Sequence, residues 1–145
     1  MEIKKPQAPP KPTNRLKATN TAHSNILDDN ITNKILTALD HFELDKEYLN
    51  QNITLYSVAK NFKTNTTYLS NVVNNYKGKR FRVYLRRLRI NEVLLQLKED
   101  KTLQRYTILA IANEFGFKRQ ETFSRAFKSI TGTYPSTYIK ENLLH

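Results

Sequence analysis

Metal binding, thiol chemistry and acid–base catalysis each need a characteristic grouping of histidine, cysteine or carboxylate side chains, and this chain has none. Its 145 residues include no cysteine and three histidines, His23, His41 and His145, no two of them within one helical turn. The missing cysteines exclude disulfide scaffolds, thiol catalysis and thiolate metal sites together, and no metal or cofactor is expected from the histidines. The carboxylates are scattered, no Gly-rich phosphate loop occurs, and no Ser, His and Asp fall in a turn context, so no catalytic residues and no enzyme are expected. What remains is hydrogen-bonding chemistry in two short runs. One carries Thr66, Thr67, Ser70, Asn71 and Asn74; the other carries Lys118, Arg119, Gln120, Glu121, Thr122, Ser124, Arg125 and Lys128. Asn and Gln can pair bidentately with adenine and Arg with guanine, while Lys, Ser and Thr suit phosphate oxygens.

Charge points the same way. Lys plus Arg number 24 against 13 Asp plus Glu, a formal net charge of +11 and a pI near 9.9. Residues 1–25 carry a net +4, 26–56 a net −4 and 57–145 a net +11. The last block is expected to fold, so its excess sits on a surface, where it repels itself unless a polyanion neutralises it. Nucleic acid is the first candidate and an anionic membrane surface the second. No apolar run approaches the roughly 20 residues of a membrane span, and the first residues lack an apolar signal segment. A soluble, cytoplasmic protein is expected.

The elements that must position these side chains follow from caps and periodicity. Four of the five prolines, Pro6, Pro9, Pro10 and Pro12, open the chain. Residues 1–29 are therefore expected to form a mobile basic tail or linker. From Thr32, Ile35, Leu36, Leu39 and Phe42 mark an amphipathic helix within an N-terminal extension, 30–53. Thr54 can cap a short helix burying Val58, Ala59 and Phe62, and Asn65 or Thr66 can cap another burying Leu69, Val72 and Val73. A long helix is expected over 80–99. Thr107 caps a helix with Ile111, Ala112 and Phe115, stopped by Gly116. A further helix carries Phe123, Ala126, Phe127 and Ile130, and Pro135 opens the last, 135–144. No stretch alternates long enough for a strand, so the fold class is all-α.

An internal repeat organises these helices. Shifted by 53, Ala59, Phe62 and Lys63 fall on Ala112, Phe115 and Gly116; shifted by 54, Leu69–Asn74 falls on Phe123–Lys128, and Gly78, Phe81 and Tyr84 fall on Gly132, Pro135 and Tyr138. One residue is added in the turn of the second copy. Each copy is a short helix, a tight turn and a second helix with a polar outward side, which is the helix-turn-helix construction. Units at 54–79 and 107–132 are thus expected, joined by the long helix. A solvated helix face has the same composition residue by residue. Both polar faces, however, occupy the same place in the repeated unit, where a protruding helix would meet the major groove. Lys118 and Arg119 stand at a helix N-terminus, against the dipole, and nearby phosphate would offset that repulsion.

The run Ile111-Ala112-Asn113-Glu114-Phe115-Gly116-Phe117 followed by Phe123-Ser124-Arg125-Ala126-Phe127-Lys128, Gly132, Pro135 and Tyr138 resembles the second helix-turn-helix of the arabinose-regulator (AraC/XylS) family of transcription factors. Leu69-Ser70, Gly78, Tyr84-Leu85 and Leu88-Arg89-Ile90 are similar to its other half. The resemblance covers about residues 54–140. It implies two reading helices in successive major grooves of double-stranded DNA, with Thr67, Ser70, Asn71, Gln120, Glu121 and Arg125 at base-reading places. Thr66, Asn74, Lys118, Arg119, Thr122, Ser124 and Lys128 are then expected near phosphates. Lys63 departs from the family by standing where the first turn usually has Gly, so that turn must accept a left-handed or distorted residue. The long connector Asp100–Tyr106 resembles a subgroup with an upstream tetratricopeptide sensor and a membrane segment. RNA polymerase is a further partner to expect of such an output domain.

Other readings remain open at this stage. Arg80, Arg82, Arg86, Arg87 and Arg89 crowd the start of the long helix, either against the DNA backbone or as structural residues, with Arg89 held by Glu92 or a neighbouring carboxylate. The Phe and Tyr residues lie at core spacing, which argues for packing rather than a stacking platform. A helical protein-interaction module, self-associating through the acidic 26–56 segment, and a non-specific nucleic-acid or membrane-surface binder are the alternative functions.

Overall fold

A computed structural model describes residues 21–143, with side chains from Asp29. Every regular element among the described residues is helical: α1 (Thr21–Leu44), α2 (Leu55–Asn61), α3 (Thr66–Lys77), α4 (Phe81–Glu99), α5 (Ile108–Glu114), α6 (Gln120–Thr131) and α7 (Pro135–Asn142), with 3-10 turns at Glu47–Leu49 and Leu103–Arg105. The chain divides into two units at Lys34/Ile35. In the first, the described residues are the beginning of α1. The mobile tail expected over 1–29 is corrected from Thr21 onward, where α1 already begins. Neither Pro nor Gly occurs between Thr13 and Lys77, so nothing stops hydrogen bonding from propagating backward from the amphipathic turns, one bond per residue added. Met1–Asn20, with the four prolines, and Leu144 and His145 lie outside the described residues.

The second unit carries the repeat, and its helices start where side chains satisfy free N–H groups. Thr54 Oγ1 accepts from the Ser57 N–H at 3.0 Å while Ser57 Oγ accepts from the Thr54 N–H at 3.0 Å, a reciprocal capping box. Asn65 Oδ1 accepts from the Tyr68 N–H at 2.9 Å and Thr107 Oγ1 from the Ala110 N–H at 3.1 Å. Pro135 occupies the first turn of α7. α3 and α6 both pack against α4, which buries Phe81, Tyr84 and Leu85 near its start and Ile90, Val93 and Leu97 near its end. Around the latter half gather Ile111 and Ala112 of α5, Phe115 just after it, Phe123 and Phe127 of α6, and Ile139 of α7. Ile35, Leu39 and Phe42 of α1 are buried, and the Phe42 ring lies 6.2 and 6.3 Å from those of Tyr48 and Phe62.

Between α1 and α2 the chain forms a strap, residues 46–51, which polar groups of α4 hold. Lys46 adopts a left-handed conformation, φ 56°, and its ammonium reaches Glu92 at 2.8 Å. Glu92 also accepts from Gln96 at 2.7 Å and from the Tyr48 hydroxyl at 3.5 Å. Burial alone would raise the Glu92 carboxyl, but hydrogen bonds from Gln96 and Lys46 outweigh it and hold the group below the usual carboxylate range. Burial and the Glu92 charge push the Tyr48 phenol up to about 12. A carboxyl with a depressed folded-state pKa contributes stability above its unfolded value, here 4.5, and loses it as pH falls through the folded value. Chemical denaturation followed against pH is therefore expected to show a stability decline below about pH 4.5 that Glu92→Gln flattens.

Among the described residues, neither Glu92 nor another carboxylate holds Arg89. Its Nε donates to the Tyr48 carbonyl at 2.6 Å and its Nη2 to the Asn50 carbonyl at 2.8 Å. Glu92 is engaged by Lys46, Gln96 and Tyr48 instead, so the strap backbone supplies the acceptors. Core spacing argues for packing of the aromatic residues, yet Tyr56, Tyr68, Tyr76, Tyr106 and Tyr134 are exposed. A phenol keeps its hydroxyl hydrated on a surface, which spacing alone does not reveal.

Candidate nucleic-acid interface

The turns of the two helix-turn-helix units carry matching backbone hydrogen bonds. α2 and α5 each have 7 residues, and α3 and α6 each have 12. The Thr64 N–H donates to the Ala59 carbonyl at 2.9 Å, and the Phe117 N–H donates to the Ala112 carbonyl at 2.9 Å. Ala59 and Ala112 are both buried, and their small side chains let the following helix cross closely. Lys63 takes the left-handed conformation, φ 59°, that Gly116 takes at φ 91°. The first turn thus accepts a lysine where the backbone favours glycine. Gly78 and Gly132 end α3 and α6 in the same left-handed region.

Each unit keeps its polar run on the outside. Thr67, Asn71 and Asn74 are exposed on α3, with Thr66 and Ser70 half-buried; Gln120, Glu121, Thr122, Arg125 and Lys128 are exposed on α6, with Ser124 half-buried. Leu69, Val72 and Val73, and correspondingly Phe123, Ala126 and Phe127, take the inward side. The N-termini differ. α3 has its Asn65 cap, whereas Arg119 at the start of α6 makes no side-chain capping bond and stands with Lys118 exposed beside free backbone N–H groups. Cations and uncapped N–H groups together make this end electropositive.

Beside each polar face lies an open cleft. The first, about 590 Å³, is lined by Thr54 at the head of α2, Ser70 and Asn74 of α3, and Arg80 and Arg82 at the head of α4. The second, about 360 Å³, is lined by Gln120, Ser124 and Arg125 of α6 with Tyr134, Pro135 and Ser136 at the head of α7. A shift of 54 carries Ser70 onto Ser124, Arg80 onto Tyr134, Phe81 onto Pro135 and Arg82 onto Ser136, all of them lining residues, so the two clefts are one feature repeated. Tyr134 was not among the residues singled out from sequence, although the repeat aligns it with Arg80. Its ring carries the Lys128 ammonium at 4.3 Å, which draws that cation to the cleft rim.

The family described as "Helix-turn-helix domain" matches residues 58–141. The chain belongs to the AraC-type helix-turn-helix family. A relative 30% identical over 114 residues, covering 79% of this chain and 86% of its own, is the "Probable transcription factor PqrA" of Proteus vulgaris. Among solved structures, the AraC-type fold is similar to the C-terminal domain of AraT, a response regulator from Geobacillus stearothermophilus. That match has 25% identity and a TM-score of 0.66 and covers 77% of this chain and 88% of that one. The C-terminal domain of the response regulator yesN from Fusobacterium nucleatum, 21% identical, shares the fold at a TM-score of 0.57 over 81% of this chain and 98% of that one.

An AraC-type domain is the sequence-specific DNA-binding output module of a transcription regulator, and that is the function of this one. No described helix is long and apolar enough to cross a membrane. Within the AraC-type domain, Arg89 of α4 lies between the strap and the turn of the second unit. Arg89 is 7% exposed, and its guanidinium carbon lies 5.5 Å from the centre of the Phe117 ring. Burial lowers its pKa to about 10, so it stays charged at neutral pH.

Proposed function

We propose that α3 and α6 of this AraC-type domain enter successive major grooves of one DNA duplex. Thr67, Ser70 and Asn71 read base edges in one groove, and Gln120, Glu121 and Arg125 read them in the next. Glu121 is suited to accept from a cytosine amino group and Arg125 to donate twice to guanine. Thr66, Asn74, Lys118, Arg119, Thr122, Ser124 and Lys128 meet phosphates, joined by Arg80 and Arg82 at the first cleft. The observation that carries this reading is the equivalence of the two exposed polar faces, each beside a cleft, with Ser70, Arg80, Phe81 and Arg82 of one matching Ser124, Tyr134, Pro135 and Ser136 of the other. Phosphate pairing supplies most of the affinity and the two faces supply sequence choice. RNA polymerase and an upstream sensor are the partners such an output domain serves.

The roles separate in a binding titration against single-base variants of a selected site. Arg125→Ala is expected to cost roughly 1–3 kcal/mol and to relax preference at one base position, whereas Lys128→Ala weakens all sequences about equally. A footprint and base preference unchanged by Arg125→Ala contradict its assignment. Binding that tracks charge alone, with no preferred sequence, favours a non-specific binder, and partner binding indifferent to duplex DNA favours a protein-interaction module.

A further inference from the structure

The strap of residues 46–51 bonds to the second helix-turn-helix unit and shares the lining of a cleft with α2 of the first, and one side chain of α4 locks it. Arg89 lies near the middle of α4, where its Nε and Nη2 hold the carbonyls of Tyr48 and Asn50. On its other side the same guanidinium faces the turn of the second unit: Phe117 lies 5.5 Å away. A Cβ placed on Gly116 would fall 2.6 Å from Arg89 Nε and 3.0 Å from the Leu49 carbonyl oxygen. The strap reaches the second unit directly as well, through Gln51 Nε2 donating to the Asn113 carbonyl at 3.2 Å. Leu49 packs against the core formed by α4, α5, α6 and α7. At its other end the strap joins α1, whose Glu43 accepts from the Tyr84 hydroxyl and pairs with Lys77 of α3 at 3.1 Å.

We infer that Arg89 is a positioning residue that fixes the spacing of the two reading helices, by locking the strap and the Gly116–Phe117 turn to α4. The turn leads within three residues to the first residue of α6, so a shift of the turn displaces the whole second reading face. Arg suits the task because its planar fork holds two carbonyls in fixed directions while its face packs on an aromatic ring; Lys offers neither. A buried cation held by carbonyl partners resists sliding, because each acceptor lost leaves a charge under-solvated. Arg89 is not expected to touch DNA, and its effect appears in how the two half-sites must be arranged rather than in which bases each contains.

This inference rests on the proposed two-groove reading, and the test separates the two. A selected bipartite duplex is compared with versions carrying one base pair inserted or removed between its halves, and with a duplex keeping one half alone, using wild type, Arg89→Lys, Arg89→Met and Gln51→Ala. Wild type is expected to prefer the selected spacing over the shifted ones by roughly tenfold or more. In Arg89→Lys and Arg89→Met that preference falls to about threefold or less, with base preference within each half retained. Gln51→Ala removes a surface bond without opening the core, and moves the preference in the same direction by a smaller factor. Should Arg89→Met fail to fold, Arg89→Lys and Gln51→Ala decide. Variants that keep the wild-type spacing preference, or that lose single-half binding by the same factor as bipartite binding, overturn the positioning role. A wild-type protein indifferent to spacing overturns the two-groove reading instead.

Discussion

Gly116→Ala is expected to lower the unfolding free energy by roughly 3 kcal/mol or more, enough to loosen the whole second helix-turn-helix. Two costs add. A left-handed backbone disfavours any Cβ by about 1–2 kcal/mol, and Gly116 sits at φ 91°. The new methyl would also lie 2.6 and 2.8 Å from Arg89 Nε and Cζ and 3.0 Å from the Leu49 carbonyl oxygen. Those atoms yield poorly, because one is backbone and the others form the fixed middle of a guanidinium held at both ends. Gly78 and Gly132 provide the control. Both have positive φ, yet a Cβ on either meets nothing within 4 Å, so alanine there is expected to cost only about 1–2 kcal/mol. Urea denaturation of the three variants measures the difference, and a Gly116→Ala effect no larger than that of Gly132→Ala would refute the close packing of Arg89 on the turn.

Affinity for DNA is expected to fall several-hundred-fold between about 50 and 200 mM salt. Each phosphate neutralised by a Lys or Arg releases condensed counterions, and log affinity then falls against log salt with a slope of about −0.9 per contact. Arg80, Arg82, Lys118, Arg119 and Lys128 are the cations assigned to phosphates, which places the slope near −4 to −5. Lys118→Ala is expected to reduce its magnitude by about 1 and to leave base preference alone. Fluorescence anisotropy at several salt concentrations provides the slope. A value near zero would contradict the phosphate assignments.

Much of this architecture was legible before any coordinates. Thr54, Asn65 and Thr107 announced helix starts because capping is local chemistry, read within three residues. The repeat was visible as well, since a duplicated unit must keep its small Ala, its turn and its apolar positions in register. Lys63 could be placed in a left-handed or distorted turn because the resembled family usually has Gly there and Gly116 stands at the matching position of the repeat. Non-local contacts were the blind spot. Arg89 finds its acceptors 39 and 41 residues away, on backbone carbonyls that carry no residue code, so a nearby Glu92 looked the better partner. The strap itself has no periodicity to betray it. Exposed and buried tyrosines have the same spacing, and Tyr84 and Tyr134 were separated only by what packs on them. The start of α1 was placed too late because the amphipathic pattern fades before the helix does.

Selection of bound duplexes from a fully random pool tests the central claim most directly, because the claim is that one domain reads two grooves. The expected outcome is a bipartite motif about two helical turns long, in which Asn71→Ala erases preference in one half and Arg125→Ala erases it in the other. A single compact motif sensitive to only one of these substitutions, or a pool that enriches no motif, would contradict it.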